Sequence, residues 1–430
     1  MHGRSSELSN ANRHFKILWA GQSLNLFGDA LMVIALPLLA VQVIGVSDSQ
    51  AALLPFALGV PFFLFGLPAG VIIDQLPRQL TMIVCSTIQA VAFMIVATLA
   101  FSDALTFPVL MLLVSIAGTA VVFFQIAYTS YVPEIFSQAQ DLQRANSRLF
   151  LSESIAKTLG SMLGGQFIAW LGVVAAIAVN AVTFVLSVLS LLVIKRKRPT
   201  MTRWGKQHNL KWMYRDIGEG LHFVFHHQRL EPVIMCGVVY VMFCSMLDSS
   251  LVLYCRKVLD LSPVTIGFVM GTAATGFPLG NLLCTKLVGH FGFARTLFMS
   301  ATVSVSGLIL IPLAGSLGSV PGLIAAHVVH GIGEGVFGPA ALTLRQTETP
   351  TCMLGRMNSV QRFMIWGAAP IGSLIAALII NFFGLSGALW VGGIGTILCL
   401  PLLMRKGILN ELLNPRDFSP SSMQTKNISK

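Results

Sequence analysis

The sequence predicts an all-α membrane protein with twelve transmembrane helices in two pseudo-symmetric six-helix halves. Three observations carry that prediction. Charged residues make up only 10% of the 430, against 55% apolar ones, where a water-soluble chain carries roughly 25% charge. Apolar stretches long enough to cross ~30 Å of hydrocarbon, about 20 residues each, recur along nearly the whole chain. A short motif in the first half also returns in the second at a fixed offset. With mean hydropathy +0.78 there are too few charges to cover a water-facing surface, so lipid is the expected solvent.

The expected spans are 17–44, 50–73, 80–101, 107–132, 148–169 and 172–194, then 231–255, 263–286, 296–315, 320–343, 360–381 and 386–404. The halves are therefore 1–194 and 230–404. A polar segment, 195–229, joins them as a cytosolic linker, and a polar tail, 405–430, follows. The first apolar run lacks a small-residue cleavage site and is expected to stay as a helix rather than be removed as a signal peptide.

Lysine and arginine set the orientation. Of 28, 25 fall on one side of this layout, among them Arg4, Arg13 and Lys16, Lys195–Arg198 and Arg356. Only Arg256 and Lys257 fall opposite, and Lys157 lies inside a span. The positive-inside rule places both termini and the linker in the cytoplasm of a multi-pass inner-membrane protein. It also explains the net charge of +11 without nucleic acid as a partner. The seven cysteines form no CxxC pair and no ligand spacing, so small buried side chains are expected, with no metal and no cofactor.

The repeat is specific. Arg144-Ala-Asn146-Ser147 returns as Arg356-Met-Asn358-Ser359, and Gly160-Ser161 returns as Gly372-Ser373, both at a shift of 212. Parallel repeats with a binding site at their interface are a transporter architecture. The linker is too short and polar to bury a core. Its segment 216–230 has Ile217, Leu221, Val224 and Phe225 at helical spacing, which predicts an amphipathic helix on the inner leaflet.

Ionisable side chains in a bilayer cost ~2.5–3.5 kcal/mol on insertion scales and need a reason. Asp29 shares a helix face with Gln22 and Asn25 at i, i+3, i+7 spacing. Glu334 repeats that spacing with His327 and His330. Both stripes are candidates for proton or substrate handling, with cavity-lining or interhelical polarity as the alternative. The histidines titrate near neutrality and could relay protons. A metal role for them lacks a fourth ligand. Asp248 follows Tyr240 and Cys244 at intervals of four and joins the candidates. Glu153 is expected to be neutralised by Lys157 one turn on, as a local ion pair. Gln125 and Tyr128, with Thr129 and Tyr131, add uncharged hydrogen-bonding groups to a substrate cavity. The sequence has no Walker motif, HExxH or GxSxG elbow, so no enzyme is expected. Uphill transport would then draw on an ion gradient.

Several motifs resemble the major facilitator superfamily. Gly70-Val-Ile-Ile-Asp74-Gln-Leu-Pro-Arg78 resembles the family's loop signature after the second span, matching at Gly70, Asp74 and Arg78 and departing at Gln75, Pro77 and Gln79. Gly160-Ser-Met-Leu-Gly164-Gly165 resembles its antiporter motif, with Ser161 in the proline position. Gly28-Asp29-Ala-Leu with Ala35-Leu-Pro37-Leu, and Val132-Pro133-Glu134 leading to Ala145-Asn146-Ser147, are similar to the drug:proton antiporter branch that includes macrolide-efflux proteins and the enterobactin exporter. The resemblance implies a gating role for Asp74 and Arg78. It also implies proton-coupled export of a small apolar or amphipathic molecule by a monomer. Dedicated siderophore or metabolite export, and proton-driven uptake, stay open.

Overall fold

The computed structural model describes residues 2–74, 76–136, 139–194, 210–350, 353–405 and 408, and no strand occurs among them. The helices are α1 His2–Gln42, α2 Asp48–Ala51, α3 Leu54–Asp74, α4 Arg78–Phe101, α5 Phe107–Ile135, α6 Ala139–Leu171 and α7 Val173–Val193. After the linker come α8 Leu210–His226, α9 Leu230–Lys257, α10 Pro263–Ser316, α11 Val320–Glu348, α12 Leu354–Gly395, a 3₁₀ turn Thr396–Cys399 and α13 Leu400–Leu403.

Among the described residues nine stretches are long and apolar enough to cross a membrane. Two of them hold two helices each, because α10 is broken at Gly292 and α12 at Gly384. Both glycines have φ in the left-handed region, +77° and +70°, which lets the chain reverse without intervening loop residues. The polar-headed α6 supplies the remaining span of the twelve. Gly172, at φ +81°, makes the same kind of tight junction between α6 and α7. The expected second span begins at 50. The chain instead makes the short α2, closed by a Ser47–Gln50 capping box, before α3 starts at Leu54.

By internal packing the chain divides into two compact units. The first is Met1–His208 with Val252–Gly271, and the second is Asn209–Leu251 with Thr272–Lys430.

In the first unit α1 packs on α6 and α7, α4 packs on α5 and α7, and α3 packs on α5. Small residues set these approaches. A Cβ on Gly160 would lie 2.7 Å from the Ala30 methyl, and one on Gly164 would lie 3.2 Å from Leu31 Cα. Gly165 points the other way, against the Pro263 carbonyl and, at 3.1 Å, Gly267 Cα. The α7 C-terminus is capped from α4: the buried Gln79 Nε2 donates to the carbonyls of Leu191 (2.7 Å) and Ile194 (2.9 Å). Those carbonyls end a helix and would otherwise lack donors.

In the second unit Gly372 of α12 seats against the Met242 carbonyl of α9. Gly307 and Gly333 bring the latter part of α10 into backbone contact with α11. Helix α8 begins earlier than expected; part of its apolar side packs against protein, while Phe225 is exposed. Val224 packs with Leu230, Ile234, Met357 and Val360, and Leu221 flanks them. Arg356 of α12 donates to Glu219 of α8 at 2.5 Å.

Candidate functional site

The polar groups form two separate sets, one in each unit. In the second unit a closed triangle joins three helices. Tyr240 Oη of α9 lies 2.8 Å from Ser304 Oγ of α10 and 3.1 Å from His330 Nδ1 of α11. Ser304 Oγ lies 2.9 Å from the same nitrogen, which closes the triangle. The Tyr240 and His330 rings stack with centroids 6.2 Å apart. On its other side the buried His330 presents Nε2 to Glu334 at 3.6 Å. Glu334 is 51% exposed, so this chain of groups runs from the buried Ser304 and half-buried Tyr240 hydroxyls to an accessible carboxylate.

The helices make this geometry by backbone approach. A Cβ on Gly307 would collide with the backbone of His330, and one on Gly333 with that of Ser304. Ser304 was not among the sequence candidates. The available signal was the small-residue face Ser300, Ser304 and Gly307 at helical spacing, which marks a close-packed seam.

The expected α11 stripe is split. His327 is buried and donates from Nδ1 to its own helix at Leu323 O, 2.9 Å, so it stands outside the triangle. Asp248 is exposed and accepts from the Cys244 thiol at 3.8 Å, one turn away on α9.

In the first unit Asp29 is exposed on α1, and among the described residues no hydrogen bond or ion pair reaches it. Gly28, its neighbour, sits against the Asn180 and Thr183 side chains of α7, so α1 cannot move off without opening that contact. Asn25 is buried and Gln22 half-buried, and neither side-chain carbonyl has a partner among the described residues. On α5 Gln125 is exposed, while Tyr128 is half-buried and stacked on Phe124 at 6.0 Å. Glu153 and Lys157 lie 3.0 Å apart on α6, with both partners well exposed.

Of the loop signature, Arg78 donates to Glu134 (2.7 Å) and to Ser130 O (2.8 Å), tying α4 to the end of α5. Gly70 has open space around its Cα. The Asp74 side chain lies outside the described residues. Among the described residues no cluster of three or more metal-ligating side chains occurs.

A helical chain with twelve spans and polar groups set within them is the architecture of a membrane transporter. The family model described as "Transmembrane secretion effector" matches residues 6–426, and the chain belongs to that family, within the major facilitator superfamily. It is similar to the multidrug efflux pump Tap of Mycobacterium tuberculosis, with 26% identity over 392 residues, 88% of this chain and 89% of that one. Macrolide efflux protein A of Streptococcus pyogenes is 22% identical over 399 residues, covering 92% and 96%. The crystal structure of the nucleoside transporter NupG superposes with a TM-score of 0.75 at 11% identity, over 92% of this chain and 99% of that one. That likeness speaks for the fold alone. The protein is thus a multi-pass secondary transporter rather than an enzyme.

Proposed function

We propose that this protein exports small apolar or amphipathic molecules, drugs of the multidrug or macrolide kind, in exchange for protons. The observation that carries the reading is the Tyr240–Ser304–His330–Glu334 chain: a titratable ring held between two hydroxyls and an accessible carboxylate. Such a chain can take up a proton at Glu334, pass charge to His330 and hold it by hydrogen bonds in a low-dielectric setting. Asp29, exposed and without a partner among the described residues, is the second titratable acid and the natural contact for a cationic group on the substrate. Gln125 and Tyr128 would add hydrogen bonds to the cargo. The two six-helix halves, 1–194 and 230–404, would alternate access across the inner membrane, with both termini cytoplasmic. The efflux relatives support the direction of transport.

The test is substrate efflux in inverted vesicles under an imposed pH gradient. Glu334→Gln and Asp29→Asn are each expected to abolish gradient-driven movement. Undiminished coupling in both variants would overturn proton exchange at these groups.

A further inference from the structure

Helix α8 carries two histidines near its end, His222 and His226, and His227 follows directly after it. None belongs to the proposed transport path. His227 is already engaged: its Nδ1 accepts from the backbone N–H groups of Arg229 (3.4 Å) and Leu230 (3.3 Å), and its Nε2 lies 3.6 Å from Glu348.

The other two differ. His222 and His226 are both exposed, one turn apart, with ring centroids only 3.9 Å from each other. The His226 Nδ1–H donates to the His222 carbonyl at 2.9 Å. A carbonyl can only accept, so this bond fixes the tautomer and leaves His226 Nε2 with its lone pair outward. A backbone carbonyl behind a ring N–H is also the usual support for a metal-ligating histidine. The i, i+4 spacing on one helix face is the one at which two histidines of a single helix can share a metal ion, once the tilted rings turn their free nitrogens toward it. Their helix is held in place by Val224 and Leu221 against α9 and α12 and by the Glu219–Arg356 pair. The turn that carries the pair is therefore fixed before any ion binds, and only the two side chains need to turn.

We propose that His222 and His226 form a two-imidazole site for a divalent transition cation of the zinc, nickel or copper class, completed by water. Nitrogen donors exclude magnesium and calcium, which take oxygen ligands. A cation here would bridge one turn of α8, just before the segment enters α9, and would stiffen that turn.

The experiment is titration of the full-length protein, purified in detergent without a polyhistidine tag, with ZnCl₂ by calorimetry. One zinc should bind per chain, and excess Mg²⁺ should not displace it. His222→Gln and His226→Gln should each weaken binding at least tenfold, while His290→Gln leaves it unchanged. Hydrogen exchange should show slower amide exchange in 218–226 with zinc in the wild type and not in the His222→Gln variant. Zinc binding that persists unchanged in the double variant, or no saturable binding to the wild type, would overturn the site.

Discussion

The two units repeat one packing device and diverge in chemistry. In the first, Gly160 of α6 meets Ala30 of α1; in the second, Gly372 of α12 meets Met242 of α9. The two glycines differ by 212 positions, and so do their partners. The sequence repeat is thus also a repeat of contacts. The titratable groups do not follow it. At the shift of 212, Asp29 corresponds to Val241, and nothing in the first unit stands where the triangle stands in the second. The backbone approach is the part of the design held in common. The polar side chains differ between the units: a carboxylate without a described partner in one, a connected chain of donors and acceptors in the other.

That contrast can be broken at several points. After the two carboxylate variants, the largest effect is expected from His330→Ala, which removes the ring from the triangle and isolates Glu334. Hydrogen bonds to a charged group are worth about 1.5–3 kcal/mol, so gradient-driven transport should fall by roughly 10–100-fold, measured in vesicles at matched expression. Next, the two glycine contacts can be ranked. Gly372→Ala drives a methyl into a backbone carbonyl that cannot rotate aside, whereas Gly160→Ala meets another methyl at 2.7 Å. Overpacking of this kind costs about 1–3 kcal/mol. The Gly372 variant should sit at the upper end and show the lower thermal midpoint in detergent.

A smaller effect tests the second unit alone. Burial holds the His227 ring below the ordinary 6.5; Glu348 pulls it back up, and Arg229 adds to the lowering. The folded state therefore favours the neutral ring. Its contribution to stability is complete above pH 6.5 and is lost as pH falls from there toward the depressed folded value. The thermal midpoint should drop over that window, and His227→Gln should flatten the drop. The smallest effect belongs to Lys157→Met. The Glu153–Lys157 pair is largely solvated, and exposed i, i+4 pairs contribute only about 0.3–0.5 kcal/mol, so stability should barely change.

Much of the fold was legible because lipid imposes simple rules. Span lengths and the short gaps between the expected spans at 169–172 and 381–386 are visible as pattern, and Gly172 and Gly384 make those turns. The i, i+4 spacing that puts Glu334 beneath His330 is visible in the same way. Contacts between helices distant in sequence were not. Ser304 reaches His330 only because Gly307 and Gly333 let two backbones meet, and no periodicity in α11 announces a partner in α10. Nor does spacing reveal how far a helix is rotated: Asn25 and His327 sit on the expected faces yet are buried. Amphipathicity in α8 was readable, but not its counterpart. An apolar stripe beside a membrane fits a lipid surface and a neighbouring helix equally well; here Met357 and Val360 meet Val224, while Phe225 stays exposed.

The triangle around His330 has one further property. With Nδ1 bare, either hydroxyl can donate to it while accepting from the other. With Nδ1 protonated, the ring donates to one hydroxyl, and the remaining hydrogens turn to follow. Within the triangle neither hydroxyl nor Nδ1 is orphaned in either arrangement. Either state of Nδ1 can therefore be accommodated by rotating two O–H bonds, without moving a heavy atom and without the ~1–3 kcal/mol that stranding a buried donor or acceptor would add, while any proton gained or lost at Nε2 passes on the Glu334 side.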